Sequence, residues 1–158
     1  MRVVLVYNPR SGRGLALGAS RSFAEALSDL GHEVKVLEAG SGEDLRTAAE
    51  GTDAIVIAGG DGTLHHAVVE LLDAGKGADT SKVPGLYHLP LGTQNLFARE
   101  LGMTADPLHL HRLMTTGRPR SLDVGLCNGR AFLLMCSVGP DSGEPPEQWR
   151  TDLYRPLA

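Results

Sequence analysis

A single carboxylate set among glycines, Gly59-Gly60-Asp61-Gly62-Thr63, is the stretch of this chain best suited to chemistry. It joins an apolar run, Asp53 to Ala58, to an amphipathic run that begins at Leu64. Glycines between a strand and a helix let bare backbone N–H groups approach an anion, and the helix N-terminus adds partial positive charge. Such a junction suits phosphate. Asp61 complicates this, because a carboxylate beside polyphosphate repels it unless a divalent cation or a proton in transfer lies between them. Phosphoryl transfer satisfies both conditions. The plainer alternative is a tight Gly-Asp-Gly turn whose carboxylate caps the helix.

The elements that must position this junction alternate along the chain. Val3 to Val6 is a continuous apolar run, as in a strand covered on both faces, and residues 8–14 (Asn8-Pro9-Arg10-Ser11-Gly12-Arg13-Gly14) break it with turn formers. Ala16, Ala19, Phe23, Ala26, Leu27 and Leu30 share one helical face that Gly31 ends. Val34 to Leu37 predicts a second strand, Asp44 to Glu50 a short helix, and Ala54 to Ala58 a third strand. Leu64, Ala67, Val68, Leu71 and Leu72 form the core face of the next helix. A polar loop over residues 74–82 then leads to a strand from Gly85 to Leu89, a glycine turn at Gly92-Thr93-Gln94-Asn95 and another helix. Asp106 and Pro107 cap and start a helix to about Met114. Arg118 to Leu126 and Arg130 to Val138 flank Cys127-Asn128-Gly129, a hairpin signal.

Alternating βα units predict an α/β fold: an open, mostly parallel, Rossmann-like sheet with helices on both faces and ligands outside the carboxyl ends of its strands. The glycine-bearing loops at 8–14, 59–63 and 92–95 all follow strands, so they are expected on one rim. The expected organisation is a nucleotide-binding domain over residues 1–117, a hairpin over 118–138 that starts a second β domain, and a proline-rich, poorly ordered tail over 139–158. With 158 residues the chain can bury one real core. A net charge of −4 argues against a general nucleic-acid binder or a polybasic membrane anchor. Cys127 and Cys136 lack metal or redox spacing and are expected as buried, reduced thiols. No stretch has signal-peptide or transmembrane character, which predicts a cytoplasmic protein, peripheral at the membrane if its substrate is a lipid.

With all three loops in view, the chain resembles the diacylglycerol kinase catalytic-domain family, lipid kinases that include sphingosine kinases and bacterial lipid kinases, with NAD kinases as distant relatives. The matching text is NPRSGRG (Asn8 to Gly14), GGDGTL (Gly59 to Leu64), LPLGTQNLFAR (Leu89 to Arg99) and, more weakly, SLDVGLCNGRAF (Ser121 to Phe132). The resemblance implies an ATP-binding lipid kinase domain that transfers the γ-phosphoryl group to the hydroxyl of a diacylglycerol-like or sphingoid lipid, with Mg2+ as cofactor. It implies that Asn8, Pro9, Arg10, Ser11, Gly12, Gly59, Gly60, Asp61, Gly62, Thr63, Leu64, His65, Gly92 and Thr93 surround the nucleotide. Asp61 is the expected catalytic carboxylate, either orienting the metal shell or accepting the hydroxyl proton. Arg10 and Arg13 either steady the triphosphate or stay solvated, and Asn95 either braces its own loop or touches ligand.

The sequence also departs from the family. Members continue into a second, largely β domain that builds the lipid pocket, so a longer chain, a homo-oligomer or a partner chain is expected to supply it. Where the family has Thr after the second strand this chain has Glu38, expected to point away or to meet a ribose hydroxyl, and where it often has Glu after GGDGT there is His66. His65 and His66, like His109 and His111, are off-phase for a shared metal. Asp141 is assigned to the tail. The alternatives are a non-catalytic nucleotide-binding or regulatory module, and an NAD(P)-related domain in which Gly12, Gly14 and Gly18 imitate a Rossmann fingerprint.

Overall fold

The computed structural model describes residues 1–72, 84–127 and 130–134. Its main sheet has four parallel strands, β1 (Arg2–Tyr7), β2 (Glu33–Glu38), β3 (Ala54–Gly59) and β4 (Gly85–Pro90), in the spatial order β2-β1-β3-β4. The helices are α1 (Ala16–Asp29), α2 (Leu45–Ala49), α3 (Asp61–Leu72), α4 (Leu96–Glu100) and α5 (Pro107–Thr116).

Side chains alternate across the sheet, so each central strand supplies two cores. Val3, Leu5, Tyr7, Val56, Ala58 and Leu89 meet Phe23 and Leu27 of α1 and Leu110 and Met114 of α5. On the opposite face, Val4, Val6, Ile55 and Ile57 meet Leu45 of α2, Leu64, Val68 and Leu71 of α3, and Phe97 of α4. Double coverage explains the unbroken apolar runs in β1 and β3: every residue of β3 is buried. Full burial of each Leu, Ile or Val contributes roughly 1.5–3 kcal/mol. β2 is an edge strand and reads differently. Only Leu37 of it is buried, while Glu33, Lys35 and Glu38 are exposed and Lys35 pairs with Glu43. Such charges discourage pairing with another chain.

From β1 the chain steps to one side to form β2, and from β3 it steps to the other side to form β4. The carboxyl ends of β1 and β3 therefore flank the point where strand order reverses, the crevice in which open α/β sheets place ligands.

Local signals largely hold. Gly31 ends α1 with φ 87°, Asp44 accepts from the Arg46 N–H at 3.0 Å, and Asp106 accepts from the Leu108 N–H at 2.9 Å beside Pro107. α3, however, begins at Asp61 rather than Leu64. The Leu64 N–H bonds the Gly60 carbonyl at 3.1 Å, which draws Asp61, Gly62 and Thr63 into the first helical turn. Residues 11–14, expected as loop, form a 3-10 turn.

The hairpin is shorter than the apolar text predicts. β5 (Gly125–Cys127) and β6 (Arg130–Phe132) pair antiparallel, and pairing starts only where Gly125 faces Phe132. A Cβ at Gly125 would lie 2.2 Å from the Phe132 ring, so the ring covers the glycine. Upstream, Pro119 has no N–H to offer a ladder. Val124 and Leu133 pack against the core under α3. Cys127 is a free thiol and half-buried rather than buried. The expected loop 74–82, the expected turn residues Asn128 and Gly129, Cys136, the strand predicted over 135–138 and the expected tail with Asp141 lie outside the described residues.

Candidate functional site

Thr63 is where the first two loops meet. Its hydroxyl receives a hydrogen bond from Asn8 Nδ2 at 3.2 Å and shares another with Ser11 Oγ at 3.2 Å. Asn8 also shapes its own loop, its Oδ1 accepting the Arg10 N–H at 2.9 Å and its backbone N–H reaching Ala58 O at 3.3 Å. Gly12 follows with φ 61°, a left-handed conformation that suits glycine, close to the Leu91 carbonyl of the third loop.

The second and third loops touch backbone to backbone. A Cβ on Gly92 would lie 2.4 Å from Gly60 Cα, and one on Gly59 would lie 2.6 Å from Thr63 Cβ. These glycines are therefore demanded by close approach. Asn95, left-handed at φ 50°, braces its own loop: its Oδ1 accepts the Gly92 N–H at 2.9 Å and its Nδ2 donates to Gly92 O at 2.8 Å. Of the two roles open to Asn95, the structure shows the bracing one.

That brace takes Asn95 away from the helix it precedes, and Asp61 fills the gap. Asp61 Oδ2 accepts the Leu96 N–H at 3.0 Å and Oδ1 accepts the Phe97 N–H at 3.2 Å. The carboxylate thus caps α4, not its own helix. Two first-turn N–H groups gain an acceptor, and a charge at a helix N-terminus is favourable.

Gly62 differs from its neighbours. It is exposed, and a Cβ there would meet nothing within 4 Å, so packing within the protein does not require it. Pro9 and Arg10 are exposed on the first loop, and Thr93 is exposed next to Gly92 on the third. The Arg13 side chain lies outside the described residues. Leu64 has no exposure and packs in the core, so its side chain is withdrawn from the rim. His65 is half-buried on the first turn of α3, where burial and then the adjacent His66 push its pKa down. The His66 ring lies 5.6 Å from that of His65. His32, not His109, partners His111, with Nε2 and Nδ1 2.8 Å apart. Among the described residues no group of three or more His, Cys, Asp or Glu could hold a metal ion.

Glu38 is paired, since the Tyr7 hydroxyl donates to its Oε2 at 2.6 Å. That bond, with burial and the Glu38 charge, pushes the Tyr7 pKa up. The sequence reading missed His88, which is 1% exposed in β4 with its Nε2 2.9 Å from the Gly59 carbonyl. The one imidazole inside the run Gly85 to Leu89 was the available signal. Burial pushes its pKa down, opposed by the Gly59 bond and the Asp61 charge.

Residues 2–127 match the diacylglycerol kinase catalytic domain. The chain is 31% identical over 144 residues to a diacylglycerol kinase of Bacillus subtilis strain 168, covering 87% of this chain and 46% of that protein. It is 32% identical over 130 residues to a diacylglycerol kinase of Mycobacterium tuberculosis strain H37Rv, covering 78% and 40%. A crystal structure of a diacylglycerol kinase from Bacillus anthracis strain Sterne aligns with a TM-score of 0.62 at 26% identity, over 83% of this chain and 45% of that one. The chain spans less than half the length of these relatives. With an α/β sheet and glycine-loop rim as described, it belongs to the diacylglycerol kinase catalytic domain family.

Proposed function

We propose that this chain is the ATP-binding part of a lipid kinase that transfers the γ-phosphoryl group of ATP to a lipid hydroxyl, diacylglycerol-like or sphingoid. The observation that carries the proposal is the convergence of the three loops at the strand-order reversal, with Gly62 open on the first turn of α3. Backbone N–H groups, the hydroxyls of Ser11 and Thr63, and a helix N-terminus match an uncharged phosphate cradle. ATP fits this donor set, and supplies the phosphoryl group when bound. Asn8 to Gly12 and Gly59 to Thr63 wrap the phosphates, with Thr93 contributing from the third loop.

The donor set for magnesium is less complete. Both Asp61 oxygens already accept backbone N–H groups, and no other carboxylate joins it in a ligand cluster among the described residues. Asp61 is the catalytic carboxylate of the proposal, and its two N–H donors hold it in one place, which either a metal-shell or a proton-accepting role requires. The acceptor hydroxyl must also be held in line, by further structure from a longer chain or a partner working at a membrane surface. Among the described residues no helix is long and apolar enough to cross a membrane.

Calorimetric titration with ATP and magnesium is expected to show one saturable site, weakened about tenfold or more in Asp61→Ala, a loss of roughly 1.4 kcal/mol or more. Equal affinity in the variant would reduce the rim to scaffolding. Transfer from γ-labelled ATP to diacylglycerol vesicles then tests the acceptor.

A further inference from the structure

His88 lies opposite Ile57 in the sheet, in direct contact with the end of β3. Because the Gly59 carbonyl can only accept, the ring carries its proton on Nε2, and Nδ1 is left bare in a buried position without a partner. The same carbonyl accepts the Leu91 N–H at 2.9 Å, so both of its lone pairs are used. The ring centroid is 6.1 Å from that of Phe97, whose backbone N–H is held by Asp61, and the backbone N–H of His88 points at Met103 Sδ at 3.2 Å. Asp61 is the charged group whose field reaches the ring.

An aliphatic side chain would fill this place without leaving a buried acceptor unpaired, which is unfavourable. What the aliphatic chain would lack is the bond to Gly59. In a planar trans peptide the N–H of the following residue points opposite to the carbonyl. Holding the Gly59 C=O toward β4 therefore directs the Gly60 N–H away from β4. Neither glycine has a side chain to fix that plane otherwise.

We infer that His88 is a positioning residue: through the Gly59 carbonyl it locks the Gly59–Gly60 peptide so that the Gly60 N–H is held toward the phosphates of the bound nucleotide. The role rests on the nucleotide-binding proposal above. A donor fixed in advance needs no reorganisation when the anion arrives. Leu91 alone leaves one lone pair of the carbonyl free and the plane half-defined.

The test compares His88→Leu, which removes the donor, with His88→Gln, whose amide can replace it. In nucleotide-free protein, amide exchange over residues 59–64 is expected to be about tenfold faster in His88→Leu and within about twofold of the parent in His88→Gln. Affinity for ATP with magnesium is expected to fall about tenfold in His88→Leu and to return to within about threefold in His88→Gln. Unchanged exchange and affinity in His88→Leu, or failure of His88→Gln to restore either, overturns the lock. If the parent protein binds no ATP, the nucleotide proposal falls while the exchange comparison still decides whether the lock exists. If His88→Leu does not fold, the ring 15N shifts of the parent protein decide: a protonated Nε2 supports the lock and a protonated Nδ1 overturns it.

Discussion

The first loop and the junction of the second and third loops lie on the same rim but are held by different means. At the junction, Gly92 meets Gly60 without room for a methyl group, Asp61 caps α4, and His88 holds Gly59 from below. The first loop is tied across to Thr63 by Asn8 and Ser11, with Arg10 exposed beyond them. Steric fit governs one half, and a shared hydroxyl governs the other. Backbone contacts tolerate no added atom, whereas hydroxyl bonds exchange readily for water, so the two halves should respond differently to substitution.

Gly92→Ala is expected to give the largest effect, since its Cβ would also lie 2.8 Å from Asn95 Oδ1. Overpacking of this kind costs about 1–3 kcal/mol, and at about 2–4 °C per kcal/mol the melting temperature should drop by roughly 2–12 °C. Gly12→Ala has its nearest atom at 3.4 Å, so only the left-handed strain of about 1–2 kcal/mol applies. A larger loss in Gly12→Ala on thermal melting would reverse the comparison.

Thr63→Val keeps the shape and removes the hydroxyl that Asn8 and Ser11 share. A loss of about 1 kcal/mol by urea unfolding is expected, with Thr63→Ser retaining most of the stability. A Thr63→Val protein as stable as its parent would show that the first loop is held by something else.

Titration sharpens the contrast with a smaller effect. His88 has its pKa lowered in the fold, so its contribution is present above the unfolded value of about 6.5 and is lost as pH falls below it. His32 and His65 are lowered too, by burial first, and act in the same direction. Tyr7 is raised, so its contribution is present below about pH 10 and is lost as pH rises beyond it. Melting temperature against pH should therefore fall on both sides. His88→Gln should flatten part of the acid limb, and Tyr7→Phe part of the alkaline one. Exchange of these assignments would break the division between the two halves.

Much of this could be read from the sequence because its causes are local. The doubly covered strands β1 and β3 appear as unbroken apolar runs, α1 as a helical period closed by Gly31, and the rim as glycines that follow strands. Causes that act at a distance were hidden. Asp61 finds its N–H partners 35 and 36 residues further on, so the sequence offered a cap for its own helix and the structure gives one for α4. Leu64 adjoins the ligand loop and also opens the core face of the helix, and the turn begun at Asp61 sets its side chain on that core face. His88 and Gly59, 29 residues apart, become neighbours only once β3 and β4 are paired.

Asp61 joins the solvent-facing rim to the oily interior, because the short helix it caps buries Phe97 under α3. Any cation or proton that draws on this carboxylate therefore also tugs at a hydrophobic side chain beneath the sheet. Thermodynamic reciprocity carries the message back: a change in how tightly Phe97 is seated must alter how strongly the carboxylate holds its visitor.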